Sequence, residues 1–394
     1  MANDIVMNAP TRMFREVPHT VSPGLWALAW KRLKSVRVGM VSLAIVVAFV
    51  LMMIASATGL IAGDWAKETG VNYAPPSFIG ADLEGGTPAA PVAPATPAIE
   101  YKSGVVDPLA DVLAELRGER KPTGAGAAAP SGEEAKSVDP LADVMADIRK
   151  DAKGKRPDVV EARAPTLPLG GDKWGRDVLK KTIKGSETSI FVGLAAAAVA
   201  TFLGTVFGAI AGYYGKWVDD AFNWFYSVFN SIPYLLLILA VAAVLQQKGT
   251  LTIILILGLT GWTGTFRLIR GEYLKHKSRE YVQAADAIGA SNARRMFVHI
   301  FPNVSHVVLV QLSIYTVGFI KAEVILSFLG FGVPVDVVSW GSMLNEAQNE
   351  LILGKWWQLA AAGTAMAILV TAFSLFTDAL RDALDPKLKG LAGA

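Results

Sequence analysis

Five stretches of this chain, 38–63, 188–215, 221–247, 300–320 and 356–377, each run for at least 21 residues without one Asp, Glu, Lys or Arg. A helix needs about 20 predominantly apolar residues to cross the hydrocarbon core of a bilayer, so each of these is long enough. A sixth run, 249–266, is slightly short but acceptable. Charge is scarce overall, with 18% charged against 52% hydrophobic residues, and it is concentrated between the runs. The expected fold class is therefore an all-α membrane protein with six transmembrane helices.

Lys and Arg are enriched in short cytoplasmic loops. They gather in the N-terminal segment 1–37, at Arg12, Arg15, Lys31, Arg32, Lys34 and Arg37, and again through 267–299. Both regions are expected to be cytoplasmic, whereas the connections at 246–250 and 331–355 read as external. Six spans then place both termini in the cytoplasm. The run at 38–63 is too long for a signal-peptide core and is expected to be retained as an anchor. With no cysteine the chain has neither disulfides nor thiolate metal sites, and its four histidines show no metal-ligand spacing. No phosphate-binding G-x-x-x-x-G-K-[ST] loop occurs. Enzyme activity and a cofactor are not expected in this chain, and nucleic acid is not among its expected partners.

The remaining large piece, 64–185, must lie outside, between the first two spans. Its Pro/Ala/Gly-rich tracts at 85–98 and 121–134 are too poor in large apolar groups to bury a core, so an insertion at 85–150 is expected to be partly disordered. Within it "VDPLADVLAELR" at 106–117 returns as "VDPLADVMADIR" at 138–149. Each copy reads as a short helix with an Asp cap and Pro at its first position. Leu109, Val112, Leu113 and Leu116 line one face, and Leu141, Val144, Met145 and Ile148 repeat it. These stripes are candidates for external docking. Folding back on this chain, or lying on lipid, is the plainer alternative.

Between two apolar runs sits "QAADAIGASNARRMFVHIFPN", 283–303, which reads as a soluble piece. A first helix over 279–288, a left-handed turn at Gly289 and a second helix capped by Ser291 and ending before Pro302 would form a cytoplasmic knob. Ala284, Ala285 and Gly289 would let another surface approach closely, with Arg294 and Arg295 beside them for acidic partners. From these features alone an ordinary surface-lying loop is the plainer reading.

Three kinds of residue stand out inside the spans. Ala196, Ala200, Gly204, Gly208 and Gly212 recur every four positions, a stripe that lets helix backbones approach closely. Asn223, Asn230 and Pro233 mark polar helix contacts and a kink, with a translocation path as the alternative role for Asn230. Lys321 and Glu323 are ionisable groups near the outer end of a span, two residues apart and hence on different faces. They are candidates for a path or subunit interface, with snorkelling and internal pairing as alternatives. At this level a secondary transporter or channel subunit stays open, as does a membrane-tethered docking scaffold.

Four stretches carry a resemblance: "EYVQAADAIGASNARRMFVHIFPN", "LGGDKWGRDVLKKTIKGSETSIFVG" at 169–193, "AEVILSFLGFG" at 322–332 and "DALRDALDPKLKG" at 378–390. Together they resemble the permease subunits of bacterial binding-protein-dependent ABC importers, in the C-type subunit of the dipeptide/oligopeptide/nickel branch. The loop departs from the family pattern at Gln283, where an acid is usual. The resemblance implies a type I importer permease fold, with a five-helix core over 186–385, a coupling loop at 271–302 and a C-terminal tail at 386–394. It also implies a second homologous permease, two cytoplasmic ATPases that bind the ATP and Mg, an external or periplasmic binding protein, and placement in the bacterial inner membrane. In that scheme Gln283, Ala284, Ala285, Gly289, Arg294, Arg295, Ile300 and Pro302 meet the ATPase.

Overall fold

The computed structural model describes residues Leu25–Gly80 and Arg163–Leu384. The two repeated stripes and the C-terminal tail lie outside the described residues. The chain divides into a unit of Met1–Ala81 with Thr166–Ala394 and a second unit, Asp82–Pro165. Among the described residues every helix belongs to the first unit.

The elements of that unit are joined by turns and isolated bridges. A short helix α1 (Leu25–Ser35) leads into the first span, α2 (Arg37–Ala57). Then come α3 (Val178–Tyr214), α4 (Lys216–Asn230), α5 (Tyr234–Leu245), α6 (Thr250–Thr260) and α7 (Thr263–Lys277). The chain continues through α8 (Glu280–Ala287), α9 (Asn292–Phe328), α10 (Trp340–Ile352) and α11 (Trp357–Leu384). Four of these, α2, α3, α9 and α11, are each long and apolar enough to cross a membrane, and the pairs α4/α5 and α6/α7 bring the number to six when each bent pair is one span.

The third expected span is thus not straight. At Ser231–Ile232–Pro233 the chain turns by 83° between α4 and α5. Pro233 has no N–H to continue the ladder, and its ring excludes the carbonyl one turn back. The run at 249–266 likewise bends by 41° around Gly261–Trp262.

The four-residue stripe of α3 is where the bundle closes. A Cβ on Gly204 would lie 2.6 Å from the Trp262 carbonyl oxygen, one on Gly208 2.8 Å from that of Phe266, and one on Gly212 2.7 Å from that of Arg270. Three successive turns of α3 therefore press glycine onto α7 and the turn before it. In lipid, packing is what holds helices together, and small residues permit it. A bidentate Asp219–Arg270 pair, at 2.5 and 2.6 Å, ties α4 to the same helix. Asn223 supports it by donating to the Asp219 carboxylate at 3.0 Å.

The sequence predicts that Pro302 ends a short second helix, but α9 runs through it to Phe328. Residues Arg295–Ile300 are wound as a π-helix, and the Phe301 N–H donates to the Met296 carbonyl five residues back. This wider turn accommodates the proline by shifting the ladder just before it.

Candidate functional site

Residues 278–300 project from the end of the bundle where α3 and α7 terminate. Helix α8 stops at Ala287, and Gly289 follows at φ +82°, the left-handed conformation that glycine adopts without cost. The Gly289 and Ala290 N–H groups close the turn onto the Asp286 and Ala285 carbonyls, at 2.9 and 3.0 Å. Ser291 then caps α9, its hydroxyl accepting from the Arg294 N–H at 3.3 Å.

Beneath this turn lies an apolar floor. Val282, Met296 and Ile300 are buried against Ala209 and Tyr213 of α3 and Ile269 and Tyr273 of α7. Ala285 is buried as well. Two phenol groups pin the knob to its neighbours: the Tyr273 hydroxyl donates to the Met296 carbonyl at 3.2 Å, and the Tyr213 hydroxyl to Asn292 Oδ1 at 3.0 Å. A displacement of the turn is thereby shared with α3, α7 and α9.

The eight expected coupling residues divide by direction. Gln283, Ala284, Gly289, Arg294 and Pro302 are exposed, while Ala285 and Ile300 form the floor. Arg295, expected beside the small residues for an acidic partner, is engaged within this chain. Its guanidinium pairs with Asp286, donates to Asn292 Oδ1 at 2.6 Å and lies over the Tyr213 ring, so it clasps the two sides of the knob together. Gln283 places its amide 3.3 Å from the Ser278 carbonyl, a bond no carboxylate could donate. Sequence reasoning missed Ile288, which is 84% exposed at the tip and reads in sequence as just one more apolar helix residue.

Glu323, expected at a path or interface, lies inside the chain with no exposed surface. Its Oε1 accepts from the Ser327 hydroxyl at 2.7 Å, while Oε2 is buried without a hydrogen-bond partner. One serine on its own helix is the acid's hydrogen-bond partner, so half of the carboxylate is left without the partner that burial calls for. Lys321 and Asn230 are exposed on the bundle surface.

At the opposite end of α3 a second polar constellation went unread in the sequence. Lys181 is buried and donates to Asp172 at 2.7 Å, to Glu346 of α10 at 2.5 Å and to Gln358 of α11 at 3.3 Å. Asp172 also accepts the N–H groups of Trp174 and Arg176, at 2.9 and 3.0 Å. Trp357 donates to the Gly171 carbonyl at 2.7 Å, and the Trp340 indole to that of Thr182 at 3.0 Å. The short helix α10 is in this way bolted to the start of α3.

Comparison with known proteins gives this geometry a family. Residues 204–390 match the binding-protein-dependent transport system inner membrane component, and 24–76 match the N-terminal TM domain of oligopeptide transport permease C. The dipeptide transport system permease protein DppC of Bacillus subtilis is 37% identical over 221 residues, covering 56% of this chain and 69% of the relative. The oligopeptide transport system permease protein OppC of the same organism is 37% identical over 221 residues, with 56% and 72% covered. The OppC protein of Haemophilus influenzae is 34% identical over 228 residues, with 57% and 73% covered. A helical bundle with a small-residue seam, a projecting two-sided knob and this degree of identity leave one assignment: the chain belongs to the inner-membrane permease components of binding-protein-dependent transport systems, in their C-type peptide-permease branch.

Proposed function

We propose that this chain is the permease subunit of an ATP-driven importer for dipeptides or oligopeptides, forming half of a pathway completed by a second, homologous permease. Relatives named for dipeptide and oligopeptide transport support the cargo. ATP and Mg are handled by two partner ATPases on the cytoplasmic face, and an external or periplasmic binding protein delivers the peptide. The chain itself does no chemistry; it sits multi-pass in the bacterial inner membrane with both termini in the cytoplasm.

The observation that carries this reading is the construction of the knob. Its outer surface offers small and apolar groups, Ala284, Ile288 and Gly289, together with Arg294, and its floor is fixed to three membrane helices. A protein docked on that surface and changing shape around ATP would push α3, α7 and α9 as one body. Helix α3, at 37 residues, is about 55 Å long. It joins the knob to the Lys181 cluster at the far end, so the movement reaches the external face.

The test is uptake and substrate-stimulated ATP hydrolysis by the reconstituted complex carrying Gly289→Val or Ile288→Asp. Nothing lies within 4 Å of a Cβ added at Gly289, so a valine there acts only through the strained left-handed backbone. The chain should insert and assemble at normal levels, with both activities reduced at least tenfold. Full activity in both variants would remove the coupling role.

A further inference from the structure

We infer that the groove between α2 and α11 is a site for an anionic phospholipid, which seats one acyl chain along the groove and its phosphate at Arg37. The groove, of about 610 Å³, has a floor of buried Ser42 and Ala372 and rims of exposed Val41, Ile368 and Leu375. Ser42 donates into its own helix, to the Gly39 carbonyl at 3.0 Å, which leaves the Thr371 hydroxyl as the one other polar side-chain group along the groove besides Arg37. From Arg37 to Ile45 the groove follows eight residues of α2, a rise of about 12 Å, the reach of roughly the upper half of an acyl chain.

What selects the occupant is the charge at one end. Arg37 opens α2 at the groove mouth, and no acid among the described residues pairs with it. The adjoining helix α1 marks the headgroup level. It buries Ala29 and Leu33 against Ala383 and Leu384 of α11, while Trp26 and Trp30 are both 49% exposed. Exposed indoles and cations on the outer face of a short helix whose inner face is apolar are the pattern of an element lying in the membrane interface. Lys31 and Lys34 are exposed on α1, within two turns of Arg37 along the chain, while Asp378 and Asp382 are exposed on α11 beyond Leu375, so Arg37 is the one charged group that lines the groove itself. Basic pockets between membrane helices favour anionic headgroups over zwitterionic ones. The inference requires only that α2 and α11 cross a bilayer, and is independent of what the chain transports.

The experiment uses the complex containing the full chain, reconstituted in discs doped with phosphatidylglycerol or phosphatidylcholine bearing a diazirine in the acyl chain. After illumination, adducts are mapped by peptide mass spectrometry. Phosphatidylglycerol should label 38–45 and 367–375 at least threefold more than phosphatidylcholine does. Arg37→Gln should abolish that preference while leaving the labelling of other helices unchanged. Ala367→Phe, which fills the groove, should lower labelling by both lipids. Equal labelling by the two lipids, or a preference retained in Arg37→Gln, would mean that the arginine merely snorkels beside bulk lipid and would overturn the proposal. Cross-links from a residue at position 41 or 368 to a second polypeptide, in place of lipid adducts, would show that protein covers the groove and would overturn it equally.

Discussion

Lys181 and Glu346, 165 positions apart in the chain, meet at 2.5 Å, with the lysine side chain almost wholly enclosed. One ammonium thereby joins the start of α3, the loop at Asp172, the short helix α10 and, through Gln358, the start of α11. A buried ion pair returns little net energy compared with a well-packed apolar replacement, but losing one partner leaves the other charge stranded.

Lys181→Met should therefore destabilise the folded chain by about 3 kcal/mol, because the buried Asp172 carboxylate loses its counter-ion. Combining it with Glu346→Gln should cost less than the sum of the single changes. Thermal unfolding of the four proteins in one detergent measures both effects, and additivity would show that the two groups do not interact.

Glu350, one turn beyond Glu346 on α10, is 2% exposed, and burial pushes its carboxyl up to about 7, with Asp172 and Glu346 adding to the rise against Lys181. A carboxyl held above its ordinary value of 4.5 favours the fold while protonated. That stability is complete below about pH 4.5, declines as pH rises and is gone above about pH 7, a difference of about 3 kcal/mol. The unfolding midpoint should fall between pH 5 and 7.5, and Glu350→Gln should fall less. Equal slopes would disprove the assignment.

Gly204 and Gly271 should respond oppositely to alanine. A Cβ at Gly204 meets the Thr265 Cβ and the Trp262 carbonyl oxygen, both at 2.6 Å, so Gly204→Ala must part α3 from α7 at a cost of about 1–3 kcal/mol. Around Gly271 nothing lies within 4 Å, and alanine there should be neutral or stabilise helix α7 by up to about 1 kcal/mol. Comparing melting temperatures with the yield of folded protein checks the pair.

Arg294 and Arg295, adjacent in sequence, should fail differently. Arg294 is exposed, so Arg294→Gln should weaken association with the proposed ATPase partner by about a few-fold, with a reduced dependence on salt. Arg295 clasps Asp286, Asn292 and Tyr213, so Arg295→Gln should raise hydrogen exchange across 280–300 even in the isolated chain. Unchanged exchange in Arg295→Gln would assign that residue to the partner after all.

Much of the architecture is legible one residue at a time, because hydrocarbon acts on each side chain separately. The apolar runs at 38–63 and 356–377 become α2 and α11, and the four-residue stripe from Ala196 to Gly212 becomes the buried seam of α3. Gly289 and Ser291 mark their turn and cap because both are local properties of the backbone. Pro233 announces a break in the same way, but the 83° angle belongs to the packing around it. The π-wound turn that carries α9 through Pro302 is likewise a response to neighbours, since an isolated helix would have stopped there. Charged groups were the least legible. In sequence Lys181 is a cation at the edge of an apolar run, Arg295 a twin of Arg294, and Glu323 an acid within a span. Their roles depend on which distant groups folding brings within hydrogen-bonding reach, and only the tertiary structure made Lys181 a bolt, Arg295 a clasp and Glu323 a buried acceptor.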